Sequence, residues 1–160
     1  MGSMTRLTLP YPISANRYWA TRVIKLKGTA KYRAMTYVTP EAEQYRREVG
    51  AIAAAAGLSS ATPGRVLLHV QLYPSRPQDW ARRARKEPHT WDDTVMCIDL
   101  GNCEKVLSDA LNGIAWADDK QLRRIVLERM EPDEKGARLE VVIEHLAAPA
   151  SLFDNQEQAA

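Results

Sequence analysis

Apolar residues recur along the chain with a period that changes from stretch to stretch, and these changes mark out the elements. Arg6 to Leu9 is short and partly alternating, is stopped by Pro10 and Pro12, and predicts a first strand. Tyr11 to Tyr37 has no helical period and predicts a long loop or an irregular hairpin, a kind of segment that in a compact domain is more often functional than not. Thr39-Pro40-Glu41 supplies an N-cap, a proline at the first helical position and an early acid. A helix is therefore expected from there to Ala56, with Tyr45, Val49, Ile52 and Ala53 turned inward and Gly57 as its stop. Val66 to Tyr73 alternates, with Leu68, Val70 and Leu72 on one face and His69, Gln71 and Tyr73 on the other, and predicts a strand.

Beyond that strand the pattern breaks. Pro74 to Met96 holds three prolines, two tryptophans and five basic residues, and predicts a surface excursion with a short helix around Trp80 to Lys86. Val106, Leu107, Ala110, Leu111 and Ile114 then recur at helical spacing, so a helix is expected from Leu100 to Leu111 with Asn112-Gly113 as its stop. Leu122 to Met130 and Arg138 to Leu146 predict two antiparallel strands joined across Pro132-Asp133-Glu134-Lys135-Gly136. The order β-α-β-α-β-β points to an α+β domain with a small mixed sheet and its helices packed on one face.

Composition narrows the class. A chain of 160 residues, 45% hydrophobic and 26% charged, suits one globular domain. No apolar stretch is long enough to span a membrane. Met1-Gly2-Ser3 reads as an added leader before a native Met4, residues 4–146 as the domain with 74–96 as its excursion, and 147–160 as a flexible tail. Cys97 and Cys103 are too few for a disulfide framework and form no Cys-x-x-Cys motif, which suggests reduced thiols and a cytoplasmic setting. His69, His89 and His145 are scattered without ligand spacing.

Net charge is only +2, but its distribution is uneven. Arg17, Arg22, Lys25, Lys27, Lys31 and Arg33 form one basic stretch, and Arg76, Arg82, Arg83, Arg85 and Lys86 another. The acids gather at Asp92-Asp93, Asp99, Asp109 and Asp118-Asp119. Such separation suits a protein that holds a polyanion and works on it with a metal; ordinary solvated loops give the same pattern. Trp80 and Trp91 suit either stacking on unpaired bases or closing over the core.

Asp99 stands at a helix start, Asn102 and Lys105 follow on one side, and Asp118-Asp119 lead into a strand. Two carboxylates so placed could converge on a hard cation whose remaining positions go to water and phosphate, with the lysine offsetting charge on the scissile phosphate. The same residues also suit an N-cap at Asp99, a surface pair of Lys105 with Asp109, and a turn at Asp118-Asp119.

The run Asp99-Leu100-Gly101-Asn102 through Lys105, then Asp109-Ala110-Leu111-Asn112-Gly113-Ile114, then Trp116-Ala117-Asp118-Asp119-Lys120-Gln121 closely resembles the core motif of RusA-type Holliday-junction resolvases. The opening Leu9-Pro10-Tyr11-Pro12, with Ser14, Asn16, Arg17, Tyr18 and Trp19, looks like the start of the same family, and Lys135 to Glu140 resembles its final hairpin. The resemblance spans about residues 5 to 146 and implies a homodimeric, magnesium-dependent endonuclease, with Mn²⁺ as a substitute, often encoded by phage or prophage. It implies symmetric paired nicks in four-way or branched DNA, no membrane partner, and the cytoplasm of a bacterial or phage-infected cell. By position, Asp99 and Asp119 are implied as metal ligands with Asp118 beside them, Lys105 as the group near the scissile phosphate, and Asn102 and Asp109 as supporting residues. DNA contacts are expected from Arg17, Arg22, Lys25, Lys27, Arg82, Arg83, Arg85 and Lys86.

One position departs from the pattern. The family's second aspartate of Asp-x-Asp-Asn is replaced by Gly101. Glu104, Asp92 or Asp93 are candidates for the missing oxygen; otherwise the chain is expected to bind junctions and cut them weakly or not at all.

Overall fold

The computed structural model describes residues 2–60 and 62–147. Its centre is a four-stranded sheet of β1 (Ser3–Pro10), β4 (Val66–Tyr73), β5 (Leu122–Arg129) and β6 (Arg138–His145) in the order β1-β6-β4-β5. β6 is antiparallel to both β1 and β4, whereas β4 and β5 run parallel. Alternation decides the faces. Val66, Leu68, Val70 and Leu72 of β4 and Leu139, Val141 and Ile143 of β6 are buried, and His69, Gln71, Glu140 and Glu144 lie on the opposite, open face.

The predicted β5–β6 hairpin is overturned. β4 lies between them, so the connection from Met130 to Ala137 carries the chain past the end of β4 rather than round a tight turn. β6 is apolar on its inward face along its whole length and gains two ladders by this placement, one with β1 and one with β4. β1 is longer than Arg6–Leu9 for the same reason: β6 offers it a partner from Ser3 to Pro10. The supposed leader residue Ser3 thus lies within a strand, and the expected tail from residue 148 onward lies outside the described residues.

Two helices cover the inner face. Helix α2 (Pro40–Ala55) is capped by Thr39, whose hydroxyl accepts from Ala42 N at 3.2 Å, and it buries Ala42, Tyr45, Val49 and Ala53. Helix α4 (Leu100–Leu111) buries Cys103, Val106, Leu107, Ala110 and Leu111. Gly113, at φ +78°, takes the left-handed turn that ends α4, and Ala115 O then meets His145 Nε2 at 2.9 Å. No described helix is long and apolar enough to cross a membrane.

The stretch from Tyr11 to Tyr37 resolves into a single helical turn, α1 (Ala15–Tyr18), and a hairpin of β2 (Trp19–Lys25) and β3 (Tyr32–Val38). The hairpin forms a sheet of its own, packed on the core through Trp19 and Val38 and mostly exposed beyond them. Its root is fixed. Tyr18 is fully buried and its hydroxyl donates to Asp109 Oδ2, while Thr39 N donates to Tyr18 O at 2.9 Å and Thr39 Oγ1 to Arg17 O at 2.7 Å. The excursion contains the predicted helix, α3 (Trp80–Lys86).

At the far end of the sheet Arg138 organises the turn before β6. Its guanidinium donates to both oxygens of Asp133 at 2.7 and 2.8 Å and to Glu140 Oε1 at 2.7 Å, and it lies 4.0 Å over the Tyr73 ring. These hydrogen bonds hold the Asp133 carboxyl down at about 2, against an ordinary 3.8. A carboxylate depressed on folding gives stability that is complete above its unfolded pKa and is lost as pH falls through the folded one. Asp133→Asn should therefore flatten the loss of stability between about pH 4 and pH 2, measured by urea unfolding; an unchanged slope would remove Asp133 from that account. Tyr18→Phe should cost about 1–2 kcal/mol in the same assay, because it strips a hydrogen bond to an ionised carboxylate at the root of the hairpin. A loss under about 0.5 kcal/mol would mean that Asp109 is held without it.

Candidate active site

Asp99 is the N-cap of α4. Its Oδ1 accepts from Asn102 N at 2.8 Å and its Oδ2 from Asn102 Nδ2 at 2.6 Å, so one residue fixes the rotation of the whole carboxylate. Each oxygen keeps a lone pair for another partner. Thus the capping role weighed for Asp99 is present, and Asn102 is its hydrogen-bond partner on both oxygens. The approach to this helix start is set by Tyr11, whose hydroxyl accepts from Ile98 N at 2.8 Å and donates to Cys97 Sγ at 3.7 Å. Burial pushes the Tyr11 phenol up to about 12. Tyr11 belongs to the Leu-Pro-Tyr-Pro opening, but nothing in the local pattern assigned it this task.

Lys105 lies one and a half turns along α4 and is exposed. The surface pair with Asp109 does not form the way spacing suggested. Asp109 turns instead to Tyr18 and, at 3.8 Å, to Arg46 Nε. Glu104 accepts from Ser108 Oγ at 3.0 Å within its own helix. Cys103 faces the core, where burial raises its thiol to about 12, and Cys97 is half-buried; both are free.

The second acidic element is equally ordered. Asp118 caps a short 3₁₀ turn (Asp119–Gln121) and accepts from Lys120 N at 2.8 Å. Gln121 Oε1 returns to Ala117 N at 2.8 Å and Asp118 N at 3.3 Å, completing a capping box, while its Nε2 donates to Thr62 O and Gly64 O. The spacing Asp118-x-x-Gln121 is the sequence signal for such a box. Asp119 Oδ1 accepts from the indole of the fully buried Trp116 at 3.1 Å.

These two elements do not meet within one chain. Asp118 and Asp119 precede β5 at the end of the sheet marked by Val66 and His145, as the bonds of Gln121 to Gly64 and of Ala115 to His145 show. Asp99 follows Ile98 at the opposite end, marked by Tyr11 and Arg138. Helix α4, with 12 residues, separates them by about 18 Å. Convergence on one ion, as expected from the sequence, is thus not achieved by a single protomer. Among the described residues no group of three or more His, Cys, Asp or Glu side chains could hold a metal. Neither Glu104, Asp92 nor Asp93 completes such a group with Asp99.

The basic residues fall into two surfaces. Arg22, Lys25 and Lys27 are exposed on the hairpin, while Arg17 pairs with Glu41 at 2.6 Å. On α3, Arg82 and Arg83 are both tied to Asp79 at 2.9 Å, and Arg85 and Lys86 complete its last turn. Of the two tryptophans, Trp91 is buried and donates to Glu131 at 2.8 Å, whereas Trp80 stays partly open beneath Arg76, whose guanidinium lies 4.3 Å from the ring.

A comparison with curated proteins gives no match. The family model described as Endodeoxyribonuclease RusA matches residues 10–144, from the Leu-Pro-Tyr-Pro opening to the end of β6. Its nucleases are metal-dependent and act on Holliday junctions. With the ordered acidic motifs and the α+β fold in agreement over most of its length, the chain belongs to the RusA family of endodeoxyribonucleases.

Proposed function

We propose that the protein is a Mg²⁺-dependent, structure-selective endonuclease that resolves four-way DNA junctions by paired, symmetric hydrolysis of phosphodiesters, with Mn²⁺ able to replace Mg²⁺. The observation that carries this reading is Asp99, capped onto α4 with both oxygens oriented by Asn102 and with Lys105 on the same helix. A bound divalent ion would supply an activated water and offset phosphate charge, although no single chain gathers the ligands for it. The roles we assign to this chain's own groups are narrower. Asn102 orients Asp99, Lys105 offers an ammonium to the scissile phosphate, and Trp116 and Gln121 orient Asp119 and Asp118. The proposed setting is the cytoplasm of a bacterial or phage-infected cell.

DNA arms are proposed to lie along the two basic surfaces. The β2–β3 ribbon carries Arg22, Lys25, Lys27, Lys31 and Arg33 and no acid between Trp19 and Val38. A two-stranded ribbon of this kind fits the major groove, and its cations suit phosphates on either side. Helix α3 adds Arg85 and Lys86, with Arg82 and Arg83 held by Asp79 at its start.

A second reading is favoured by Gly101. An added Cβ there would meet only Asp99 Oδ1, at 3.5 Å, an ordinary contact, and α4 imposes no positive φ. A side chain therefore fits where the family carries its second carboxylate. With glycine in place, the chain could bind junctions while cutting them poorly.

Two measurements separate the readings. On a synthetic four-way junction with Mg²⁺ or Mn²⁺, Asp99→Asn and Asp119→Asn should each lower nicking by at least about 100-fold. Asparagine still caps a helix and still accepts from an indole, so both variants keep the fold. Nicking equal to the parent's would remove the assignment. Gly101→Asp should raise nicking at limiting metal if the missing carboxylate holds the parent back. No change would show that glycine costs nothing at this position.

A further inference from the structure

The excursion from Pro74 to Met96 contains none of the family-like motifs described above, yet it is firmly built. It packs at the end of the sheet that carries Asp99, where Trp91 donates to Glu131 and Arg129 Nη2 donates to Asp92 O and Val95 O, both at 2.9 Å. Together with Tyr11 it borders an open groove of about 580 Å³. Resting on the reading of the chain as a junction nuclease, we propose that this groove holds one unstacked nucleotide beside the scissile phosphate. Met96 is the wedge that parts it from its neighbour, and Arg76 is the clamp on its phosphate.

Met96 carries the argument. It is 93% exposed, the most open large apolar side chain among the described residues. Its backbone is nevertheless pinned on both sides. Arg129 holds Val95 O just before it, and beyond it Ile98 N donates to Tyr11 Oη at 2.8 Å. Val95 is buried, so the chain points a side chain inward there and outward at Met96. Apolar wedges, methionine among them, enter between base steps and part them, and a flexible thioether adapts to the irregular gap that results.

The distance to the reaction is short. Met96 lies three residues before Asp99, at most about 11 Å of chain. Stacked nucleotides advance about 3.4 Å per step along a strand, so the parted step falls within about three nucleotides of a phosphate at Asp99.

Arg76 forms part of the opposite wall. Its guanidinium lies 4.3 Å from the centroid of the Trp80 ring, and Trp80 leans on the buried Trp91 with ring centroids 6.3 Å apart. Among the described residues no carboxylate pairs with Arg76, whereas Asp79 holds both Arg82 and Arg83. Stacking fixes the plane of the guanidinium and leaves its N–H edge free, a geometry suited to a phosphate taken through two parallel hydrogen bonds. Arg83 Nη1 donates to Thr94 Oγ1 at 3.3 Å and so ties α3 to the segment before Met96. The described lining includes Arg76 and Arg83 but no acid, and between them Pro77, Val95 and the Tyr11 ring suit the faces of a base.

A synthetic four-way junction carrying 2-aminopurine, which brightens when unstacked, tests the wedge without cleavage. The probe is placed in turn at each position within about three nucleotides of the branch point, with EDTA present. The parent should brighten one position or two adjacent ones. Met96→Ala should abolish the rise and Met96→Leu should keep it. Both should unfold in urea at the parent's midpoint, because the side chain is open to solvent. Arg76→Ala should weaken junction binding about 10-fold and make the log–log salt slope shallower by about one. Arg76→Lys should restore the slope but not the full affinity. An unchanged slope in Arg76→Ala would strike the clamp. A rise that survives Met96→Ala, or no rise from a parent that does retard the junction, overturns the inference and leaves the nuclease reading standing. A changed oligomeric state in Met96→Gln would assign the side chain to a contact between copies and overturn the inference as well. A parent that retards no junction at low salt refutes the nuclease reading itself, and the inference falls with it.

Discussion

The parallel pairing of β4 with β5 is the constraint from which the rest follows. Two parallel neighbours need a crossover, and here the crossover is the excursion followed by α4, which returns the chain along the length of the sheet. Whatever starts α4 is therefore at one end and whatever starts β5 at the other. Asp99 and Asp119 take these two positions, and the buried stripe Val106, Leu107, Ala110 and Leu111 fixes the helix between them. Bending α4 to bring the carboxylates together would expose that stripe, at a cost far above what any ion pair at the surface returns.

Each acidic element is rigid in its own right. Asp99 is held through both oxygens, Asp119 is tied to a buried indole, and Asp118 sits in a box closed by Gln121. Carboxylates left to swing would have to lose rotamer freedom on meeting a phosphate or an ion; these have lost it on folding. Tyr11 extends the same logic backwards along the chain. By accepting from Ile98 N it sets the direction from which α4 begins.

Much of this was legible in the residues. Strong local chemistry was read correctly: Thr39-Pro40 started a helix, the alternation of Val66–Tyr73 made a strand, and Asn112-Gly113 ended α4. The family also showed itself in the residues, through ordered motifs that the match over residues 10–144 bears out. What failed was long-range. Nothing within Leu122–Arg129 or Arg138–His145 records that β4 lies between them, because pairing is settled by which apolar faces meet across the sheet rather than by the turn that follows. That one chain holds Asp99 and Asp119 apart was hidden for the same reason. Twenty residues of sequence separation are compatible with contact or with opposite ends of a helix, and only the direction of α4 decides. Tyr11 as a positioning group was invisible because its partners, Cys97 and Ile98, are more than eighty residues away.

The open face and the two edges of the sheet complete the physical picture. The inner face is closed by α2 and α4, and β1 ends in a proline that discourages a further strand. The outer edge of β5 has no such device. Its apolar centre, flanked by Arg124 and Glu128, is costly to leave in water and aggregation-prone if it accepts any strand at all.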